Sequence, residues 1–391
     1  MTTRPLLPAI ERGGALSIAI GGLCAIAAGI GVGRFVYTPI LPPMIAALGL
    51  SKSQAGLIAS ANFLGYLIGA LLAATPTLPG ARRGWVLGAL AASTATTAAM
   101  GLADNVPAFL ALRFAGGMAS AFVLIITSTM VLEHLAGQRR SGLSAVHFAG
   151  VGSGIAVSAA LVAVMLRAAQ PWWSLWLASG VLSAGGLVVA TALLPRHSAP
   201  AQVGGTQTHA ALDPALKRLI VAYGFYGFGY VITATFLVAI VRAAPAIREL
   251  EPVIWVTFGL AAAPSITLWT WIAGSTGIPR AFALACIVEA VGVLASVAWQ
   301  STVGVFIAAV LVGGTFMALT ALGLIRAREL AQNGVPRGDA RRALALTTSA
   351  FGIGQIVGPY FAGIVSDHLG SFTVPSIAAA VALVIAAVLV K

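Results

Sequence analysis

Acidic residues are scarce in this chain. Ten Asp and Glu stand against 22 Lys and Arg in 391 residues, and charged residues make up 8%. Soluble domains carry about 25%, so an ordinary soluble globular chain is excluded. Cysteine is nearly absent: Cys24 and Cys286 each lie inside an apolar run. That excludes a disulfide framework and any zinc-type spacing. No nucleophile–base pair, phosphate-binding loop or metal-ligand cluster is apparent, which argues against an enzyme, a cofactor or a metal site.

What is present is apolar sequence, 59% by residue, with a mean hydropathy of +0.98. The net charge of +12 would suggest nucleic acid in a soluble protein. Here the basic residues come in small groups between apolar runs of twenty or so residues, the pattern of loops on one side of a membrane. About 20 apolar residues cross the hydrocarbon core. On that measure the chain has twelve spans, at 14–46, 53–74, 84–103, 107–132, 141–166, 172–194, 217–241, 252–273, 279–299, 302–325, 342–366 and 372–390. The first continues past the length of a signal-peptide core, so it reads as an uncleaved helix. Residues 195–216, rich in Pro, Gly, Ser, Thr, Gln and His, read as a cytoplasmic linker between bundles at 1–194 and 217–391.

Basic residues orient the spans. One side holds Arg4, Arg12, Arg82, Arg83, Arg139, Arg140, Arg196, Lys217, Arg218, Arg280, Arg326, Arg328, Arg337, Arg341, Arg342 and Lys391. The other holds Lys52, Arg167, Arg242 and Arg248. The richer side is cytoplasmic, and both termini lie there. Arginine far outnumbers lysine, which fits a GC-rich bacterial genome and a bacterial inner membrane.

The halves repeat each other. Arg139-Arg140 precede Gly150 and Gly152, as Arg341-Arg342 precede Gly352 and Gly354, 202 residues on. Gly31 and Gly33 match Gly227 and Gly229, and Gly116-Gly117 match Gly313-Gly314. Three matches in order predict a six-plus-six repeat, with a site between the repeats.

The segment Gly31-x-Gly33-Arg34-Phe35-x-Tyr37-Thr38-Pro39-x-Leu41-Pro42, with Leu50-Ser51 and Gln54-Ala55-Gly56 after it, carries a family resemblance. So do Leu112-Arg113-Phe114-x-x-Gly117 and Gly352-x-Gly354-Gln355-x-x-Gly358-Pro359-x-x-x-Gly363. Together they resemble the major facilitator superfamily, and within it the YbfB/YjiJ-like branch. The resemblance implies an all-α membrane protein of twelve helices in two pseudo-symmetric bundles, acting as a transporter. The loop after span two, Thr75 to Gly84, keeps the basic pair Arg82-Arg83 but lacks the acid usual in the superfamily. The antiporter-type Gly-Pro motif is absent from span five and present in part in span eleven.

Arg34 sits near the middle of span one, where a charge costs about 2.5–3.5 kcal/mol on insertion scales. It reads either as an anion-binding group or as a scaffold arginine bonded to carbonyls near Gly33 and Pro39. In superfamily relatives that exchange organic phosphates, an arginine at a similar place binds the anion. Its repeat mate is Tyr230, so a symmetric pair of arginines is missing and a monoanion or zwitterion is favoured. Tyr37, Tyr230 and Gln355 are expected to line the site, and Asn62, Tyr66 and Tyr226 are further wall candidates. Tyr223 is better explained by the membrane interface. For Arg113 the resemblance implies a proton-coupling role, since relatives carry an arginine there in a motif linked to it; read by itself, Arg113 snorkels to the interface. His147 reads as a proton relay or a packing residue, and Glu289 as a proton acceptor or a neutral buried acid.

These residues predict a secondary transporter moving a small organic solute, anionic or zwitterionic, by alternating access. Its partners would be that solute, protons as an open alternative, and membrane lipid; it would work as a monomer and bind no nucleic acid. The alternatives are a transporter-like receptor without net transport, and an exporter of neutral or cationic compounds.

Overall fold

The computed structural model describes residues 14–75, 81–196, 213–333 and 340–390. Arg4, Arg12, Arg337, Lys391, most of the 195–216 linker and positions 76–80 of the loop motif lie outside them. Among the described residues the chain is helical, without strands. The helices are α1 (Ala15–Leu48), α2 (Lys52–Ala73), α3 (Arg82–Leu102), α4 (Val106–Gly137), α5 (Ser141–Arg167) and α6 (Trp172–Leu193). There follow α7 (Pro214–Ala243), α8 (Arg248–Ala262 and Ser265–Thr276), α9 (Ile278–Ala298), α10 (Thr302–Asn333), α11 (Ala340–Leu369) and α12 (Thr373–Leu389). Each predicted span has its helix.

Several helices differ from a plain rod; α5, for one, is interrupted at Ala149. The pieces of α8 meet at 43° around Ala263-Pro264, because a proline supplies no N–H to the preceding turn. α1 is broken near Arg34, as described below. Several helices also outrun their apolar stretches: α4 and α10 have 32 residues, α7 and α11 have 30. Arg326, Arg328 and Glu329 therefore sit on the last turns of α10, not in a loop.

Helix ends follow local chemistry. Gly49 ends α1 with φ +65°, a conformation that costs glycine little. Ser51 then starts α2: its hydroxyl accepts from the N–H of Gln54 at 3.1 Å, and the Gln54 side chain accepts from the N–H of Ser51 at 2.9 Å. Such a cap contributes about 1 kcal/mol. Asn105 and Asp213 cap α4 and α7 likewise, each followed by proline within the first turn.

Packing repeats with a shift of six helices. α2 lies on α4, α3 on α4 and α6, and α1 on α5 and α6; in the second half α8 lies on α10, α9 on α10 and α12, and α7 on α11 and α12. The halves meet through α2 with α11 and α5 with α8, a pair of contacts that the same shift exchanges. This is the two-fold pseudo-symmetry that the glycine and arginine repeats predict.

The seam between halves is concentrated toward one end, where α1 stops and α2 begins, here called the far end. The first piece of α1, Ala15–Ile26, packs on α4, α5 and α6 of its own half, whereas the last piece, Tyr37–Leu48, also packs on α7 and α8. At the far end the Asp367 carboxylate accepts from the backbone N–H groups of Lys52 at 2.9 Å and Ser53 at 2.8 Å, capping a helix of the other half. Lys52 Nζ donates back to the Ser366 carbonyl at 3.1 Å. Deeper along the seam, the Ser60 hydroxyl donates to the carbonyl of Ile356 at 2.6 Å. A Cβ on Gly56 would stand 2.1 Å from the carbonyl oxygen of Pro359, so α2 and α11 touch backbone to backbone.

Candidate functional site

The site begins with a helix that cannot stay regular. Small residues let α1 press on α5: a Cβ on Gly31 would fall 2.6 Å from the Cα of Gly154. Residues 27–32 widen into a π turn, and the N–H groups of Gly33 and Phe35 reach back five residues, to Ala28 at 3.0 Å and Ile30 at 3.3 Å. Such widened turns recur at functional sites. Four residues after Phe35 comes Pro39, which has no N–H to give the Phe35 carbonyl, so the backbone offers it only the N–H of Thr38, at 3.3 Å. The chain leaves regular helix between Gly33 and Val36, and carbonyls there lose their regular helical partners.

Those carbonyls are taken up from two sides. Arg113 of α4 donates Nη1 to the Gly33 carbonyl at 3.1 Å and Nη2 to the Arg34 carbonyl at 2.9 Å. Trp255 of α8, in the other half, donates its indole N–H to the Phe35 carbonyl at 3.2 Å. Leaving such groups unpaired in a bilayer costs several kcal/mol each. The scaffold role weighed for Arg34 thus falls to Arg113. Arg113 is 5% exposed and its guanidinium turns to α1, so it does not snorkel to the interface.

Arg34 is free for other work. It is 6% exposed, with its guanidinium carbon 4.1 Å from the ring centre of Tyr66, 4.6 Å from that of Phe63 and 5.6 Å from that of Phe35. Its Nε and Nη2 have no hydrogen-bond partner, and among the described residues no carboxylate pairs with it. A buried cation held by aromatic faces and lacking a counter-ion is suited to an incoming anion.

Around it the walls are assembled from both halves. Tyr37 lies beneath Arg113, 4.9 Å from guanidinium carbon to ring centre, and its hydroxyl donates to the Ala55 carbonyl at 2.8 Å. Asn62 donates to the Arg113 carbonyl at 2.9 Å and keeps its own oxygen unpaired. Thr38 donates to the Ala234 carbonyl at 2.8 Å, joining α1 to α7. Arg34, Tyr37, Phe63, Arg113 and Thr235 line a narrow space with room for about one water molecule.

The second half contributes an aromatic wall. The Gln355 amide donates to the Tyr230 hydroxyl, leaving Gln355 Oε1 buried without a donor. The Tyr230 ring is nearly parallel to Phe351 (4°, centroids 5.7 Å apart) and to Phe316 (14°, 5.8 Å). Phe316 meets Phe35 edge-on at 5.7 Å, so this wall reaches the Arg34 segment. Tyr226 stacks on Tyr230 at 5.2 Å, but its hydroxyl is committed to the Phe316 carbonyl and the Thr320 hydroxyl.

Other candidates lie elsewhere. Tyr223 is 1% exposed and donates to the Thr320 carbonyl at 2.7 Å, so it is a core residue and not an interfacial one. His147 is fully buried among α1, α4 and α5, pairing with the Ser128 hydroxyl at 3.0 Å, its Nδ1 against Gly22. Gly22 is twelve residues before Arg34, roughly 18 Å along a helix, so His147 is outside the site. Glu289 is fully buried on α9, with Thr315 of α10 as a polar neighbour. α9 packs within the second half, against α7, α8, α10 and α12.

Sequence reasoning missed Trp255, Phe63, Phe316 and Phe351. The freed Phe35 carbonyl is implicit in Pro39, but nothing in the sequence says which donor reaches it.

Comparison with solved structures finds the same fold at low identity. A crystal structure of a mutant of the nucleoside transporter NupG aligns with a TM-score of 0.74 and 12% identity, over 95% of this chain and 98% of that one. A bacterial homologue of the human lysosomal transporter Spinster, in an inward-facing and occupied conformation, aligns at 0.69 and 15%, over 96% and 93%. Curated proteins yield no match. Residues 26–391 match the family described as the uncharacterised MFS-type transporter YbfB. That match takes in the broken helix, both walls and nearly all of the two halves, and the chain belongs to this family of membrane transporters.

Proposed function

We propose that the protein moves a small organic anion or zwitterion across the bacterial inner membrane, as a monomer set in membrane lipid. Two bundles, 1–194 and 217–391, would alternate access to the site, with 195–216 and both termini in the cytoplasm. The observation that carries this reading is Arg34: a buried guanidinium beside a helix break, with two unpartnered nitrogens and no acidic neighbour among the described residues. Tyr37, Asn62 and Tyr66 frame it, and Tyr230 and Gln355, braced by Tyr226, face it from the other half. In this orientation the far end is external, and the Asp367 cap and the α2–α11 contact hold it shut.

Of the proton-coupling candidates, Arg113 already serves the α1 carbonyls and His147 already pairs with Ser128. Glu289 is the group left to carry a proton. The test is flux into proteoliposomes across a panel of organic acids, with and without a pH gradient. Arg34→Ala should abolish uptake while the purified protein stays monodisperse; undiminished uptake would sink the assignment. Flux indifferent to the pH gradient removes protons from the cycle.

A further inference from the structure

Arg34 offers its ligand one edge. Tyr66 and Phe63 crowd the guanidinium at 4.1 and 4.6 Å, which leaves an approach in the guanidinium plane. The two unpartnered nitrogens, Nε and Nη2, carry the parallel N–H bonds of one side of the fork. Two parallel donors match the two oxygens of a single carboxylate. Arg113, the cation beside them, is not free to help, since both of its terminal nitrogens are bonded to carbonyls. A doubly charged phosphate would leave one charge unbalanced in a buried site.

The aromatic wall narrows the choice further. The rings of Phe316 and Phe351 both lie within 14° of parallel to that of Tyr230. A body that enters among such faces gains by being thin and offset-stacked. Gln355 Oε1 is fully buried without a donor, and a buried acceptor left unpaired forfeits its hydrogen bond to water. A ligand bearing an O–H or N–H would satisfy it.

We infer that the Arg34 site takes a flat, singly charged carboxylate: an aromatic acid with a hydrogen-bond donor at the end away from the carboxylate. This rests on the anion-transport reading above and narrows it. The probes are four small molecules offered to the full-length protein in proteoliposomes: 4-hydroxybenzoate, cyclohexanecarboxylate, phenyl phosphate and the neutral 4-hydroxybenzamide. Binding is read as thermal-shift stabilisation and transport as uptake of labelled compound.

The expected order places 4-hydroxybenzoate first and cyclohexanecarboxylate about tenfold weaker, the scale of one lost aromatic contact. Phenyl phosphate and the amide should give no signal. Arg34→Lys keeps the charge without the fork and should weaken 4-hydroxybenzoate by at least about tenfold. Phe351→Leu should lower the preference for the flat acid over the saturated one. Equal or stronger binding of cyclohexanecarboxylate or phenyl phosphate overturns the inference while leaving an anion transporter in place. Silence from every anion overturns both.

Discussion

One arginine holds the backbone of another: Arg113 Nη2 donates to the carbonyl of Arg34 at 2.9 Å, and its Nη1 to that of Gly33. The pair divides one task, with Arg113 fixing the break and Arg34 left with free donors. Arg113→Lys cannot span both carbonyls and should lower stability by about 1–3 kcal/mol, as expected for a charged donor lost from buried acceptors. Thermal unfolding in detergent reads the loss directly. An unshifted midpoint would show that water replaces the guanidinium at no cost.

Asp367 is a cap supplied across the seam. Asp367→Ala removes an acceptor from the N–H groups of Lys52 and Ser53, worth about 1 kcal/mol. That energy shifts a two-state equilibrium about fivefold. Spin labels flanking the α2 and α11 ends should report a larger fraction with the far end apart. A distance distribution identical to the parent protein's would rule out a closing role.

Two glycines on α2 should behave differently although each allows backbone contact. A Cβ on Gly65 would lie 1.9 Å from the Phe114 carbonyl oxygen inside the first half; one on Gly56 would lie 2.1 Å from that of Pro359 across the seam. Gly65→Ala should cost about 1–3 kcal/mol of stability through overpacking. Gly56→Ala should keep the fold and disfavour the closed far end, which the same spin-label measurement detects. Equal loss of folded protein in both variants would contradict the distinction.

His147 is placed for packing. Its ring bridges Ser128 and Gly22 and touches none of the groups around Arg34. His147→Gln is expected to cost about 1 kcal/mol of stability and to leave the pH profile of flux where it was. A displaced profile would return His147 to the proton path.

Much of this arrangement is legible before any coordinates. The cost of a charge in lipid singles out Arg34 and Arg113, and the recurring glycines and arginine pairs announce the six-plus-six repeat. The division of labour between the two arginines is not legible, because it depends on which guanidinium reaches the carbonyls that the break sets free. Phe316, Phe351 and Trp255 look like ordinary apolar residues until packing brings them to α1. Asp367 sits at the end of span eleven and reads as a loop acid; its partners lie more than 300 positions away on a helix end of the other half.

The bond from Trp255 to the Phe35 carbonyl crosses between the halves near the depth of the break. In the alternating-access cycle proposed above, parting the halves there removes one of that carbonyl's two donors and leaves the N–H of Thr38 at 3.3 Å. A carbonyl left with one long bond inside a bilayer is under-satisfied, and a water molecule in the place of the indole would restore its second bond each time the far end opens. Turnover of this transporter would then carry a wetting step, and a rate sensitive to heavy water would be its signature even if no proton were cotransported.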